Sequence, residues 1–228
     1  MEDIYTRTEG ILGKEGVERL KGASVLVVGV GGVGGFAVEA LARAGVGRIA
    51  VLDSDLVAPS NLNRQIIATN ATVGMAKVDA IERRIFDINP TCEVAKFNLF
   101  YSAETADGIS LSEYDYVLDC IDSVRSKLEL IKRATECGVP IISAMGAGNK
   151  LDPTRFRVAD ISKTAGDPLA KVVRTELRKM GINHLKVVFS DEPPVKTGER
   201  TPMSISFMPS TMGLIMASEV IKALAAEK

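Results

Sequence analysis

Glycines near the N-terminus occur in the pattern of a phosphate-binding turn. They follow an apolar run and precede a helical pattern, and they are Gly29, Gly31, Gly32 and Gly34. Because glycine lacks a Cβ atom, backbone N–H groups at such a turn can approach phosphate oxygens closely. Asp53 comes 19 residues after the last glycine, at the spacing of a carboxylate that accepts hydrogen bonds from a ribose. The pattern predicts a nucleotide site rather than a tight packing turn, and NAD and ATP fit it equally well.

Polar and charged side chains further along the chain favour ATP. They follow two of the apolar runs or stand near the start of a helical pattern, and they are Asp55, Asn61, Arg64, Lys77, Asp122 and Ser123. A triphosphate needs cations, and usually a metal ion, to neutralise its charge, whereas a dinucleotide carries only a pyrophosphate. Taken singly, Arg64 and Lys77 could be solvated surface charges, and Asp122 could cap the following helix. Their occurrence together in this order predicts a triphosphate site.

Histidine and cysteine give little support to other chemistries. Hydride transfer would need a proton donor, but the single histidine, His184, lies in a predicted turn after Gly181 and we interpret it as incidental. The three cysteines, Cys92, Cys120 and Cys137, include no CxxC pair and follow no metal-ligand spacing. We therefore predict no structural zinc, and we interpret all three as reduced, buried thiols of a cytoplasmic protein.

The apolar runs alternate with helical patterns, which predicts an α/β fold. Predicted strands cover 24–30, 48–53, 114–121 and 139–144, and predicted helices cover 33–44, 77–89 and 123–137. Near-continuous β-branched runs are typical of strands covered on both faces. We expect a Rossmann-like, mainly parallel sheet with helices on both faces and ligands at the carboxyl ends of the strands. The length favours a single domain, 1–228, with a nucleotide-binding core in 1–150 and C-terminal strands and a helix in 151–228 packed on the same domain.

The charge distribution limits the kind of partner. Basic and acidic residues number 28 and 29, so bulk attraction does not make the chain a polyanion binder, and any nucleic-acid site must be local. The longest uncharged run, 201–218, contains two prolines and several hydroxyl residues. We predict a buried or interfacial segment there, and no membrane span.

One segment, 155–186, is locally basic, with eight basic and three acidic residues. Asp167 and Pro168 are typical of a helix N-cap and first turn, and three basic residues would then share one helix face: Lys171, Arg174 and Arg178. We expect the opposite, packed side to carry Val172, Val173, Leu177 and Met180. A solvated outer face is the ordinary interpretation of such a pattern, and a nucleic-acid-binding surface is the alternative.

The C-terminal segment ends in a predicted helix whose apolar side must be covered. Its apolar residues include Ile205, Phe207, Met208, Leu214, Ile215, Met216 and Val220. Packing on the sheet is one interpretation, and a homodimer interface is the other.

Four motifs occur in the order GVGGVGG, LDSDLVAPSNLNRQ, TVGMAK and LDCIDS. As a set, they resemble the ubiquitin-activating-enzyme-like (ThiF/MoeB-like) superfamily, whose members adenylate carboxylates. The resemblance implies that the four glycines cradle phosphates, that Asp53 holds the ribose and that Asp122 holds Mg²⁺. The residues that it brings to the triphosphate are Asn61, Arg64 and Lys77. It also favours a homodimer, and some relatives lend an arginine to the ATP site from the region of Arg7.

The following stretch, 141–170, resembles the tRNA threonylcarbamoyladenosine dehydratases and extends the resemblance over nearly the whole chain. Such enzymes use ATP to cyclise the threonylcarbamoyl group on an adenosine beside the anticodon. We therefore expect the threonyl carboxylate to attack ATP while Arg64, Lys77 and Mg²⁺ on Asp122 stabilise the phosphate charge. The resemblance also implies a tRNA-binding surface in 151–228, for which the candidates are Lys163, Lys171, Arg174 and Arg178.

Two other functions stay open at this point. Relatives that adenylate the C-terminus of a ubiquitin-like or sulfur-carrier protein often carry zinc-binding CxxC pairs and an acyl-accepting cysteine, and the lack of CxxC tilts against such a substrate. A nucleotide-sensing module without turnover is the third function. The sequence leaves open whether a sulfur-relay protein assists and whether a monovalent cation binds near the basic segment.

Overall fold

A computed structural model describes residues 4–199 and 201–226, so Arg200 and both ends of the predicted 1–228 domain lie outside the described residues. Within them, seven strands form one sheet in the order β3-β2-β1-β4-β5-β7-β6. The strands are β1 (Ser24–Val28), β2 (Arg48–Leu52), β3 (Glu93–Phe97), β4 (Tyr116–Asp119), β5 (Ile141–Ala144), β6 (Phe156–Asp160) and β7 (Lys186–Ser190). The helices are α1 (Thr6–Lys21), α2 (Gly34–Ala44), α3 (Lys77–Ile88), α4 (Val124–Cys137), α5 (Pro168–Lys179) and α6 (Phe207–Ala225).

The sheet is parallel except at one edge. All neighbouring strands pair in parallel register apart from β6, which runs antiparallel to β7. Helices cover both faces: α1, α2, α3 and α6 pack on one, and α4 and α5 pack on the other. Because β1 is covered on both sides, Val25 to Val28 are all buried, which explains its unbroken apolar sequence. The predicted Rossmann-like α/β fold is confirmed, whereas the division of the chain at residue 150 stays a prediction.

The bounds of α1, β3, β6 and β7 were not predicted, because none of them shows a long, regular apolar pattern. β3 and β6 are edge strands with several exposed residues. α1 is mostly polar and is interrupted at Gly13, whose φ of 73° breaks the helical geometry. β1 ends at Val28, short of the predicted limit, because Gly29 has a φ of 88° and turns the chain.

One expectation about α5 was wrong in part. Val173 and Leu177 are buried as predicted, but Val172 and Met180 are 46% and 47% exposed. Val172 lies one residue before the buried stripe and is therefore rotated away from it by about 100°. Met180 is the C-cap residue, beyond the last turn of the helix.

The cysteines also differ from one another. Cys92 is buried and Cys120 is partly buried, but Cys137 is exposed in the last turn of α4, so the expectation of three buried thiols was wrong for Cys137. The position follows from the helix itself, because Cys137 lies three residues beyond the buried Ala134 and just before the left-handed Gly138 that ends α4.

The C-terminal helix α6 packs mainly across α2, and it also contacts β5 and β7, which agrees in part with the predicted packing on the sheet. Its buried residues include Met208, Met212, Met216, Ala217 and Val220. At Gly213, a Cβ atom would lie 2.2 Å from the backbone oxygen of Val33, so this close approach requires glycine. On the outer side of α6, Phe207 and Leu214 are exposed. Among the described residues, no helix has both the length and the apolar character needed to span a membrane.

Candidate functional site

A cavity of about 420 Å³ opens where the chain leaves the carboxyl ends of β1, β2 and β4. The strand order reverses at β1 and β4, which is where ligands bind in open α/β sheets. The residues that line the cavity include Gly29, Gly31, Gly32, Asp53, Asp55, Arg64, Gln65, Lys77, Phe100, Cys120, Asp122 and Pro209. Its volume is typical of a small-ligand site.

The glycines divide into two groups. Gly29, Gly31 and Gly32 line the cavity, and the turn is fixed by a hydrogen bond of 2.7 Å from Gly29 N to Leu52 O, which joins β1 to β2. Gly34 does not line it: a Cβ atom there would lie 1.8 Å from the backbone oxygen of Gly29, so Gly34 lets α2 pack against the turn. At the start of α2, Gly35 N donates to Gly31 O at 2.9 Å and Ala37 N donates to Val33 O at 3.1 Å, so an anion at the turn meets the positive end of the helix dipole rather than a full set of free N–H groups.

The carboxylate of Asp53 is oriented by two backbone donors. Its Oδ2 atom accepts a hydrogen bond of 2.9 Å from Val30 N, and its Oδ1 atom accepts one of 2.9 Å from Asp55 N. The side chain is 10% exposed, at the end of β2. A carboxylate held in this way presents its remaining lone pairs to a hydroxyl donor such as a ribose.

Lys77 lies in the first turn of α3 with its ammonium directed into the cavity. Its side chain is 8% exposed, and its Nζ atom donates to Asp55 Oδ2 at 2.7 Å and lies 3.7 Å from Asp53 Oδ1. The isolated β-bridge between Leu56 and Ala76 holds this turn against the loop after β2. Since Asp55 is 66% exposed, a bound phosphate would compete with it for the ammonium.

The loop after β2 brings Arg64, but not Asn61, to the cavity. The Nη1 atom of Arg64 donates to Ser60 O and to Asn63 Oδ1, both at 2.9 Å. Asn61 is buried, its Oδ1 atom accepts from Ala58 N at 3.0 Å, and it does not line the cavity. In this geometry Asn61 shapes the loop, and the structure does not place it at the predicted triphosphate contact.

Asp122 and Ser123 follow β4. Asp122 is exposed and lines the cavity, whereas Ser123 is the N-cap residue of α4 and lines a neighbouring cavity. Asp122 is therefore not the helix cap that the sequence allowed. Across 4–199 and 201–226, no cluster of three or more His, Cys, Asp or Glu side chains could hold a metal ion. Asp122 fits Mg²⁺ only in the way common for nucleotide enzymes, in which one or two carboxylates share the ion with phosphates and water.

Gln65 and Phe100 are among the cavity residues that the sequence analysis missed. Gln65 is buried, and its Oε1 atom has no hydrogen-bond partner in the described part of the chain. Such an atom is unfavourable unless a ligand or water satisfies it, so it fits a polar ligand in the cavity. Phe100, which follows β3, is exposed and borders the same space. Gln65 directly follows Arg64 and could have been found there, but Phe100 carries no sequence signal.

A buried ionic cluster beneath the cavity was also missed. Lys127 of α4 donates to Asp119 Oδ2 at 2.7 Å and to Ser143 Oγ at 3.3 Å, and Ser143 Oγ donates to the same Asp119 oxygen at 2.5 Å. Lys127 and Asp119 are 0% exposed. The available signal was that Lys127 falls in register with Leu130 and Ala134, on the apolar stripe of α4.

Cys120, in the same loop as Asp122, is not suited to act as a nucleophile. Burial, with a smaller contribution from the Asp119 carboxylate, raises the pKa of the Cys120 thiol far above its ordinary value. The thiol is therefore protonated at neutral pH, and only the thiolate is nucleophilic.

Among the basic residues around α5, some are exposed and one is held by hydrogen bonds within the fold. Lys163, Lys171 and Arg178 are exposed, whereas Arg174 is half-buried and its Nη1 atom donates to Thr164 O at 2.8 Å and to Thr164 Oγ1 at 2.5 Å. The predicted N-cap Asp167 is confirmed, because its Oδ1 atom accepts from Ala170 N at 2.9 Å.

Asp167 has a second set of partners. Its Oδ2 atom accepts from Lys150 Nζ at 2.9 Å, and the same ammonium donates to the backbone oxygens of Gly146 and Ser190. Both side chains are almost completely buried. This second buried pair joins the start of α5 to the loop after β5 and to the last residue of β7.

Arg7 and His184 lie away from the cavity. Arg7 is exposed on α1 and does not line the cavity within this one chain. His184 is 85% exposed, and its Nδ1 atom lies 3.2 Å from Asp160 Oδ2.

Comparison with known proteins gives consistent matches. The pattern of the ThiF family matches residues 5–228. The tRNA threonylcarbamoyladenosine dehydratase of Bacillus subtilis is 48% identical over 95% of this chain and 92% of its own length. The crystal structure of the Escherichia coli tRNA N6-threonylcarbamoyladenosine dehydratase in complex with ATP superimposes with a TM-score of 0.89 at 35% identity, over 96% of this chain and 93% of that one. Its complex with AMP superimposes with a TM-score of 0.89 at 36% identity, over 96% and 92% of the two chains.

Proposed function

Because the chain belongs to the ThiF family, we propose that it is an ATP-dependent tRNA threonylcarbamoyladenosine dehydratase. The enzyme activates the threonyl carboxylate of N6-threonylcarbamoyladenosine next to the anticodon and closes a ring with the loss of one water. The observation that carries its use of ATP is the cavity itself. There an oriented carboxylate, Asp53, lies beside the cation Lys77, and Arg64 and the exposed carboxylate Asp122 line the same cavity. The identity with dehydratases over nearly the whole chain supports the substrate.

The first chemical step is attack of a threonyl carboxylate oxygen on the α-phosphorus of ATP. The bond from that phosphorus to the β-phosphate bridging oxygen breaks, and pyrophosphate leaves. The turn at Gly29 to Gly32 and the start of α2 bind the phosphates, and Asp53 accepts from the ribose. Arg64 and Lys77 stabilise the charge that develops on the phosphates, since fixed cations are worth most where charge grows in the transition state. Asp122 would hold Mg²⁺, which would supply further neutralising charge at the phosphates.

Ring closure then needs no enzyme nucleophile. An atom of the carbamoyl group attacks the activated acyl carbon, the bond to AMP breaks, and the displaced proton passes to solvent. Intramolecular attack of this kind reaches effective concentrations on the order of 10⁵ M or more. The protonated thiol of Cys120 supports this route over transfer of the acyl group to an enzyme thiolate.

The tRNA binds, on this proposal, to the basic surface formed by Lys163, Lys171, Arg174 and Arg178. Lys171 and Arg178 lie on the exposed side of α5, and Lys163 is exposed in the turn before it. Arg174 contributes mainly by holding that turn through Thr164. Such a surface binds the RNA backbone rather than its sequence.

Expectations about assembly, location and accessory factors are also part of the proposal. The enzyme works as a homodimer, which the exposed Phe207 and Leu214 of α6 support and which a measurement of molecular mass in solution tests. Arg7 reaches an ATP site only if a second copy brings it there. The enzyme acts in the cytoplasm, where its tRNA substrate is found, and a sulfur-relay protein or a monovalent cation is required only if the purified enzyme fails without it.

The decisive experiment is mass analysis of tRNA nucleosides after incubation with the enzyme and ATP. We expect threonylcarbamoyladenosine to lose one water, with AMP and pyrophosphate as products. Finding ADP and phosphate would indicate an acyl phosphate instead. Pyrophosphate release that responds to a carrier protein ending in Gly-Gly, and not to this tRNA, would favour the carrier-protein alternative. No release with either would indicate a binding module.

A further inference from the structure

Asp122 is exposed, so its position depends on the backbone of the loop that carries it. The loop runs from Cys120 to Ser123, between the end of β4 and the start of α4, and Cys120, Ile121 and Asp122 all line the cavity. Directly beneath lies the buried cluster of Asp119, Lys127 and Ser143. The Oδ1 atom of Asp119 accepts from Ile121 N at 3.2 Å, and the other end of the loop is fixed by the first backbone hydrogen bond of α4, from Lys127 N to Ser123 O at 2.9 Å. The cluster therefore holds the loop directly at Ile121, and through Lys127 it ties the first turn of α4 to β4.

The cluster is poorly explained by stability alone. Removing two charges from water is costly, and replacing a buried ion pair by apolar side chains of similar size is often neutral or stabilising. Lys127 stands on an apolar stripe with Leu130 and Ala134, where an uncharged side chain would pack readily. An ionic cluster differs from an apolar contact because its hydrogen bonds fix the orientation of the joined groups as well as the distance between them. Here it joins β4, β5 and α4 at one point below the loop.

We propose that Asp119, Lys127 and Ser143 are positioning residues that hold the Cys120–Asp122 backbone so that the Asp122 carboxylate meets the phosphates of ATP together with Mg²⁺. This inference rests on the proposed use of ATP. None of the three residues lines the nucleotide cavity, so they act through the loop and not by contact with the nucleotide.

The test uses the double variant Asp119→Leu/Lys127→Met, which removes both charges together, so that neither charge is left without its partner; Ser143 Oγ and Ile121 N lose their hydrogen bonds to Asp119 in the same change. ATP affinity is measured by calorimetry with and without Mg²⁺, and hydrogen exchange is measured at the Ile121 amide. In the wild-type protein we expect Mg²⁺ to strengthen ATP binding. In the variant, this strengthening should fall about tenfold, exchange at Ile121 should accelerate, and affinity for ATP without Mg²⁺ should change little. Asp122→Asn should remove the strengthening without changing exchange at Ile121.

The matched control is the other buried pair, changed as Lys150→Met/Asp167→Asn, in which the asparagine can still cap α5. Its Mg²⁺ effect on ATP affinity should equal that of the wild type. A folded Asp119→Leu/Lys127→Met protein that keeps the full Mg²⁺ effect would overturn the inference and leave the proposed function intact. Wild-type protein that binds no ATP at all would instead overturn the proposed function.

If the double variant does not fold, Ser143→Ala provides the second measurement. It removes one hydrogen bond to Asp119 and introduces no charge. A smaller decrease in the Mg²⁺ effect, with faster exchange at Ile121, supports the inference, and an unchanged Mg²⁺ effect overturns it.

Discussion

At the nucleotide cavity, Asp53 is fixed by two backbone donors and Lys77 lies between two carboxylates, whereas on α5 the side chains of Lys171 and Arg178 extend into solvent. The cavity is assembled by strands and loops that are distant in the sequence, and each group is held by others. The basic surface comes from one helix and the turn before it, and most of its charges act independently. We therefore expect single substitutions to have large, specific effects in the cavity and small, additive, salt-dependent effects on the surface.

The largest effect is expected at Asp122. Asp122→Asn keeps the shape of the side chain but removes its charge, so the Mg²⁺ that we propose for this site would lose its carboxylate ligand. We expect kcat for pyrophosphate release to fall about 100-fold or more, because electrostatic groups at a reacting centre contribute on this scale. Steady-state kinetics measure kcat, and a thermal melt checks that the variant is folded. Near-normal turnover in a folded variant would show that Asp122 takes no part in the mechanism. The expected difference between the cavity and the basic surface would then largely disappear.

An intermediate effect is expected on the basic surface. Lys171→Ala/Arg178→Ala removes two exposed cations and should weaken tRNA binding without changing the KM for ATP. The slope of log affinity against log salt concentration should become shallower by about 2. Binding titrations at several salt concentrations measure it. The comparison would break if the affinity and its salt dependence were both unchanged, since the tRNA would then lie elsewhere.

Arg174 tests the same comparison between held and solvated charges, because it belongs to the basic pattern of α5 but is half-buried. Arg174→Met should lower the free energy of unfolding by about 1–3 kcal/mol, since it leaves the buried Thr164 oxygen without its donor. Denaturant unfolding measures this loss. A denaturant unfolding curve identical to that of the wild type would show that Arg174 does not stabilise the fold and behaves like the exposed cations of α5.

The smallest effect is expected from alkylation of the cysteines. Burial raises the pKa of the Cys92 thiol to about 11, and the pKa of the Cys120 thiol is raised further, so both are protonated at pH 8. Iodoacetamide reacts with thiolates and should therefore modify the exposed Cys137 first, as peptide mass analysis would show. The labelled protein should still release pyrophosphate. Rapid labelling of Cys120 would contradict its assignment as an inert thiol.

The sequence could predict what is built from contiguous patterns. The glycine turn, the oriented carboxylate after β2 and the central strands each have a local signature, and the four ordered motifs led to the correct family. Contacts across the sheet have no such signature. Lys127 is charged like any surface residue, and only the tertiary structure shows that Asp119 and Ser143 converge on it. Arg174 and Lys171 are indistinguishable in the helical pattern, but only Arg174 reaches Thr164.

The contact of α6 with α2 at Gly213 has a consequence for regulation. Gly213 lies against the backbone of Val33, which precedes α2 at the nucleotide turn, and Pro209 of the same helix borders the nucleotide cavity. Any association on the outer side of α6 that displaced this helix would change the affinity for ATP. Thermodynamic reciprocity then requires ATP to change the equilibrium of that association by the same factor.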